Sequence, residues 1–302
     1  MLSYRECQLC PRMCGVNREA GEVGFCRMPA GAVCARAAAH YWEEPVISGS
    51  FGSGTVFFSG CTLRCTFCQN QPISAGGFGK AITAAQLRDC FLRLIDDGCQ
   101  NINLVTPTQF LPTIVEALCP KLPVPVVYNC GGYERVETLR ALEGLVDVYL
   151  PDYKYSDSAL AGKLSAAPNY PEVAQAAILE MLRQTGPCVV EDEQLVRGTL
   201  VRHLVLPGYM DNSLGAVEWL AEKAIPLGAQ VSIMGQYVPM PGMEGSLART
   251  LTEEEYAAVL SWASLCGIQD GYFQELSCAS TAYIPDFSLQ GLDGGMENEK
   301  NQ

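Results

Sequence analysis

Six short apolar runs, each separated from the next by an amphipathic stretch, constrain this chain to an α/β fold. They lie at residues 55–59, 101–105, 124–128, 146–150, 200–206 and 230–234. They are rich in β-branched and aromatic residues, and four of the six are apolar almost without interruption. Strands buried on both faces of a parallel sheet read this way. The intervening helices are expected at residues 83–97, 109–119, 134–142, 171–185, 212–224 and 252–265. The first opens on Thr83 with Gln86 and the last on Thr252 with Glu255, both at capping-box spacing. Six β-α units imply right-handed crossovers and are too few for an eight-stranded barrel. The expectation is a partial (β/α)6 barrel over residues 51–290, a small Cys-rich metal-binding module over residues 1–50, and a disordered tail over residues 291–302 (GLDGGMENEKNQ).

Composition narrows the function classes. The chain has 302 residues and a net charge of −13, which argues against general nucleic-acid binding. No apolar run reaches the length of a membrane span, and the first residues lack the apolar core of a signal peptide, so a cytoplasmic location is expected. Fifteen cysteines in that compartment argue against disulfides, and metal or Fe–S ligation is the better use for the clustered ones. With His40 and His203 the only histidines, a His-rich zinc site is ruled out, and a Ser-His-Asp triad has no spare parts. His203, inside an apolar run, reads equally as a core or a catalytic histidine.

Directly after the first run comes Gly60-Cys61-Thr62-Leu63-Arg64-Cys65-Thr66-Phe67-Cys68-Gln69-Asn70, with C-x3-C-x2-C spacing. Three thiolates in one loop can hold three irons of a [4Fe–4S] cube and leave the fourth open to a ligand. Three buried structural cysteines or a zinc knuckle are the alternatives. Barrels of β-α units gather functional residues at the C-terminal ends of their strands. Those positions carry Thr106, Pro107 and Thr108, then Asn129, Cys130 and Gly131, then Asp152 and Lys154, then Pro207, Gly208 and Asp211, and finally Gln236 and Tyr237. Upstream, Cys7, Cys10, Cys14 and Cys26 form C-x2-C-x3-C-x11-C, a full ligand set for either structural zinc or a second [4Fe–4S] cluster, with Cys34 as a spare.

The Cys61 loop resembles the cluster motif of the radical S-adenosylmethionine (SAM) superfamily, with Phe67 before the third cysteine and Asn70 after it sharpening the match. It is most similar to pyruvate formate-lyase activating enzyme and its uncharacterised relatives, and the similarity runs from Cys7 to about Pro285. The resemblance implies a radical SAM partial barrel. In it a [4Fe–4S] cluster on Cys61, Cys65 and Cys68 reductively cleaves SAM to a 5′-deoxyadenosyl radical that abstracts hydrogen. Asp152-Tyr153-Lys154 resembles the family's SAM-contacting Asp-x-Lys element. Arg202 with Leu206-Pro207-Gly208 and Asp211 resembles a further family segment, and Asn129 is expected to orient SAM or substrate. The sequence departs from the family after the second strand, where Val105-Thr106-Pro107-Thr108 replaces Gly-Gly-Glu. Carbonyls and hydroxyls of Thr106 and Thr108 could accept from the SAM ammonium instead. The implied activity is activation of a glycyl radical enzyme, with modification of a peptide or small molecule as the alternative. A flavodoxin or ferredoxin would donate the electron. A non-catalytic metal-binding interaction protein is the reading from another class.

Overall fold

The computed structural model describes residues 2–280 and 284–292. Among these, ten strands form one sheet: β1 (Ala32–His40), β2 (Ser53–Phe58), β3 (Lys80–Ile82), β4 (Ile102–Val105), β5 (Val126–Cys130), β6 (Val148–Pro151), β7 (Val189–Glu191), β8 (Gln194–Leu204), β9 (Gln230–Met234) and β10 (Tyr272–Phe273). The helices are α1 (Pro45–Ser48), α2 (Gln71–Ser74), α3 (Ala84–Asp96), α4 (Leu111–Ala117), α5 (Val136–Arg140), α6 (Ser158–Ser165), α7 (Tyr170–Thr185), α8 (Met210–Trp219) and α9 (Glu253–Leu265). Strand order is β10-β9-β8-β6-β5-β4-β2-β1-β3, with β7 hairpinned onto β8.

The six expected strands are β2, β4, β5, β6, β8 and β9. They pair parallel, each beside the next in chain order. Crossovers of one hand between neighbours taken in order put every covering helix on the same face. On that face Val56, Phe58, Ile102, Leu104 and Val126 pack with Leu87 and Phe91 of α3 and with Leu111 and Ile114 of α4. Farther along, Val201, Val231 and Ile233 meet Ile178 of α7, Val217 of α8 and Val259 of α9. Both capping boxes form, Thr83 with Gln86 on α3 and Thr252 with Glu255 on α9.

The opposite face has two zones set by the strand period of two. Toward the strand N-termini, Val127, Val148, Leu150 and Leu200 close around Ile47 of α1. Two residues on from these stand Asn129, Asp152 and Arg202, which are polar. The sheet thus has an apolar base and a charged rim at its C-terminal edge.

Four strands, β1, β3, β7 and β10, have no counterpart among the expected runs, and β8 begins earlier than expected. β1 pairs antiparallel with β2 and lies within the stretch expected to be loop. Its sequence is dominated by alanine, which carries no β signature. β8 starts at Gln194, because Asp192 and Glu193 (φ 47° and 66°) make a two-residue turn back from β7. Such turns are usually marked by Asn-Gly or Asp-Gly, and this one is not. Of the expected tail, residues 293–302 lie outside the described residues. The stretch before them is tied to β1, with Leu289 N donating to Ala35 O (3.0 Å) and Ala37 N to Gln290 O (2.9 Å). No described helix is long and apolar enough to cross a membrane.

Candidate active site

The Cys61 loop leaves β2 through Gly60, whose φ of +75° and close approach to the Met28 side chain exclude a Cβ. Buried Gln109 pins the start of the loop. Its Nε2 lies within hydrogen-bond distance of the carbonyls of Ser59 (2.9 Å), Gly60 (3.1 Å) and Thr106 (2.8 Å). Leu63 and Phe67 anchor the rest in the core under α6, α7 and α8.

Each thiol of the loop accepts a hydrogen bond: Cys61 Sγ from Leu63 N–H (3.4 Å), Cys65 Sγ from the Ser165 hydroxyl (3.0 Å) and Cys68 Sγ from the Ser74 hydroxyl (3.4 Å). Such bonds favour thiolates. Burial opposes them and, with the neighbouring Cys65 sulfur, pushes the Cys61 thiol up to about 12. Burial and Cys65 likewise raise Cys68. Three thiolates crowded into one buried loop need compensating positive charge, which iron supplies. Among the described residues no three His, Cys, Asp or Glu side chains converge as ligands of a single ion. A cubane does not ask for that, because each thiolate bonds a different iron at its own corner. The donor set fits a [4Fe–4S] cluster.

Beside the loop, the rim forms a continuous polar row. Lys154 Nζ donates to Asp152 Oδ2 (2.5 Å), and Arg202 Nε to Asp152 Oδ1 (2.9 Å). Arg202 Nη1 reaches Glu43 Oε2 (3.0 Å) and Nη2 reaches Asn129 Oδ1 (2.7 Å), while Asn129 Nδ2 returns to Glu43 Oε1 (3.1 Å). Burial alone would raise Asp152, but Arg202 and Lys154 hold its carboxyl below the usual range. Burial would lower Lys154, yet Asp152, with the Cys65 sulfur adding, holds its ammonium above the ordinary value. Glu43 and Glu44 are pushed up by burial, with Arg202 opposing. Tyr170 fixes this rim from below. Its hydroxyl accepts from Lys154 N–H (2.8 Å) and lies 2.8 Å from the Asp152 carbonyl and 2.9 Å from that of Gly131.

Cys65, Cys68, Asn70, Asn129, Asp152, Lys154 and Arg202 line one cavity of about 240 Å³. Cys61, at the root of the loop, is not among its lining residues. Thr106, Thr108 and Asp211, expected at the same site, do not line the cavity. The Thr108 hydroxyl turns to the helix face and bonds Glu134 Oε1 (2.7 Å), the Thr106 carbonyl is taken by Gln109, and Asp211 is exposed on the first turn of α8. His203 is a satisfied core residue, with Nδ1 2.7 Å from the Tyr153 carbonyl and Nε2 3.0 Å from the Ser213 hydroxyl.

The sequence reading missed His40, which reaches the cavity from the end of β1, and Trp42, Glu43 and Glu44, which reach it from the connection between β1 and α1. The adjacent acids of Trp42-Glu43-Glu44-Pro45, just after an apolar run, were the available signal. Glu44 Oε1 accepts from Ser232 Oγ of β9 (2.9 Å).

The N-terminal cysteines are drawn together by tight turns, with Cys7 N bonding Val16 O and Gly15 N bonding Cys7 O (both 3.0 Å). Cys26 lies close to Cys7 and Cys14, and Cys10 close to Cys26 and Cys14. Cys34 is buried in β1 beside Cys90.

No protein-family model matches this chain. It is 31% identical over 275 residues to MJ0674, an uncharacterised protein of Methanocaldococcus jannaschii, covering 86% of this chain and 75% of that one. Its fold is similar to that of SuiB from Streptococcus suis. Bound to the precursor peptide SuiA, SuiB matches with a TM-score of 0.51 at 12% identity, over 72% of this chain and 47% of SuiB. Bound to S-adenosylmethionine, it matches with a TM-score of 0.50 at 13% identity, over 74% and 47%. The chain therefore spans about half the length of SuiB, and at this identity the likeness is one of fold.

Proposed function

Since this chain belongs to one family with MJ0674 of M. jannaschii and shares its fold with a protein that binds SAM, we propose that it is a radical SAM enzyme. One observation carries the reading: the C-x3-C-x2-C thiols stand at the C-terminal end of β2, and two of them share a cavity with Asn129, Asp152, Lys154 and Arg202. When bound, the cluster would supply the electron that splits SAM into methionine and a hydrogen-abstracting 5′-deoxyadenosyl radical. Cys61, Cys65 and Cys68 would hold three irons. Lys154 has ammonium hydrogens left for an anionic group, and the carboxylates of Asp152 and Glu43 can accept from hydroxyls or an ammonium. Phe67, Tyr237 and Met234 give the cavity apolar walls that exclude water.

A polypeptide is the proposed substrate class, either the glycine loop of a glycyl radical enzyme or a smaller peptide. The cavity adjoins a second hollow of about 700 Å³, walled in part by Trp42, Glu43, Glu44, Tyr272, Phe273 and Gln274. That is room for a segment of chain rather than for SAM alone. SuiB, which binds the peptide SuiA, lends this class its support. A flavodoxin or ferredoxin is the proposed electron source.

The test is anaerobic reconstitution with iron and sulfide, followed by reduction with dithionite in the presence of SAM. Wild type yields 5′-deoxyadenosine, and the Cys61→Ala/Cys65→Ala/Cys68→Ala variant yields none. Equal yield from the two proteins refutes the proposal.

A further inference from the structure

We propose that Cys7, Cys10, Cys14 and Cys26 hold a redox-active [4Fe–4S] cluster that exchanges an electron with the cluster on Cys61, Cys65 and Cys68, and that Arg64 is the cation both share. The proposal rests on the reading of the barrel thiols as cluster ligands.

The fold presses the two cysteine loops together at three points. Gly60, next to Cys61, has its Cα against the other loop: a Cβ there would lie 3.1 Å from the Cys26 carbonyl oxygen. Arg12, between Cys10 and Cys14, donates its Nε to Thr62 O (2.9 Å) inside the Cys61 loop. Its Nη2 reaches Ser165 O (3.0 Å), the residue whose hydroxyl bonds Cys65 Sγ. Phe25, next to Cys26, has the Arg12 guanidinium 3.8 Å and the Arg64 guanidinium 5.2 Å from its ring centre.

Arg64 is the residue this arrangement leaves unexplained. It stands between Cys61 and Cys65 at a φ of +54°, a left-handed conformation unfavourable for a long side chain. Its Nε and Nη2 are buried without a hydrogen-bond partner. Arg12 and Arg27 repel it, while Cys26 of one set and Cys61 of the other attract it. Buried guanidinium donors left unsatisfied among like charges are costly. A thiolate-ligated iron–sulfur cluster on each side supplies what Arg64 lacks, namely negative charge and sulfur acceptors. The exchange is a single electron. A low-potential donor of the flavodoxin or ferredoxin class reduces the N-terminal cluster from 2+ to 1+. That cluster returns to 2+ as the barrel cluster goes from 2+ to 1+, with no proton or bond changing hands.

The test uses the full chain, reconstituted anaerobically, in four forms: wild type, the N-terminal Cys→Ser quadruple variant, Arg64→Gln and Arg64→Lys. Iron and zinc are counted, and EPR spectra are followed through a dithionite-poised redox titration. The expected wild type carries about eight irons. When fully reduced, its spectrum is broadened by spin coupling and is not the sum of separate N-terminal and barrel signals. Arg64→Gln lowers the midpoint potential of both clusters together, and Arg64→Lys restores both. One zinc in the N-terminal set, or two additive signals indifferent to Arg64, overturns the proposal while leaving the barrel reading intact. Absence of iron from the Cys61 set overturns that reading and the proposal with it. Should Arg64→Gln fail to fold, the additivity of the wild-type spectrum decides alone.

Discussion

Replacing Asp152 by Asn removes one charge from the middle of the polar row and nothing from its volume. Arg202 and Lys154 are then left facing each other across a neutral amide. Their side chains are only 14% and 19% exposed, so water does little to screen them. Removing one partner from a buried ion pair costs about 3–5 kcal/mol. That is a large part of the roughly 5–15 kcal/mol that holds a domain folded. Lys154→Met is gentler, because the bond from Arg202 Nε to Asp152 (2.9 Å) survives and only one charge-assisted hydrogen bond is lost. Its stability cost is about 1.5–3 kcal/mol. The double variant takes away one of the two opposed cations and should recover part of the Asp152→Asn loss, a non-additivity of about 0.5–3 kcal/mol. Urea unfolding of the four cluster-free proteins measures these values. Because Asp152→Asn weakens the fold itself, SAM binding is better judged on Lys154→Met, where a fall of about 10- to 150-fold in affinity is expected after reconstitution. An Asp152→Asn cost below about 1 kcal/mol would mean a solvated pair and refute the burial argument. Unchanged SAM affinity in Lys154→Met would remove Lys154 from the binding site.

His203 should make stability fall as pH drops. Burial, with Lys154 nearby, lowers its folded pKa to about 4 from an ordinary 6.5, so the native state binds fewer protons within that window. The resulting loss between pH 7 and pH 5 is about 2 kcal/mol, and it should be absent in His203→Gln; equal pH slopes in the two proteins would contradict this. Gly132→Ala puts a Cβ onto the Asp152 carbonyl oxygen at a φ of +76°. It should cost at least about 2 kcal/mol in thermal or urea unfolding, and a near-neutral result would show that the turn after β5 has slack.

How legible the molecule is from its sequence depends on where each residue gets its constraint. Val56, Leu104, Val127 and Leu150 lie in strands covered on both faces, so their apolar runs survive any detail of packing. The Cys61 loop is local, and three cysteines within eight residues announce themselves. Asn129 and Asp152 follow from their places at strand ends, whereas Arg202, inside its apolar run, is marked only by the family resemblance. Thr108 obeys the same rule by position, but buried Glu134 claims its hydroxyl, a partner far enough along the chain to leave no local trace. Glu43 and Glu44 are the converse: they reach the cavity only because alanine-rich β1 lies against β2 and α1 plugs the base of the sheet. The adjacency of the two cysteine loops, fixed by Arg12 and Gly60, is likewise a property of the folded chain alone.

The polar row also gives the cavity a direction. Read along its bonds, it runs Lys154, Asp152, Arg202, Glu43, with signs alternating from a cation at one terminus to an anion at the other. Such a sequence cancels in sum but not in moment, and its positive terminus is the one beside Cys65. Every nitrogen of Arg202 is already engaged, so the middle of the row has little to offer a guest. A zwitterion lying alongside therefore has one favoured heading, with its carboxylate toward the Lys154 and Cys65 end and its ammonium toward the β1–α1 connection.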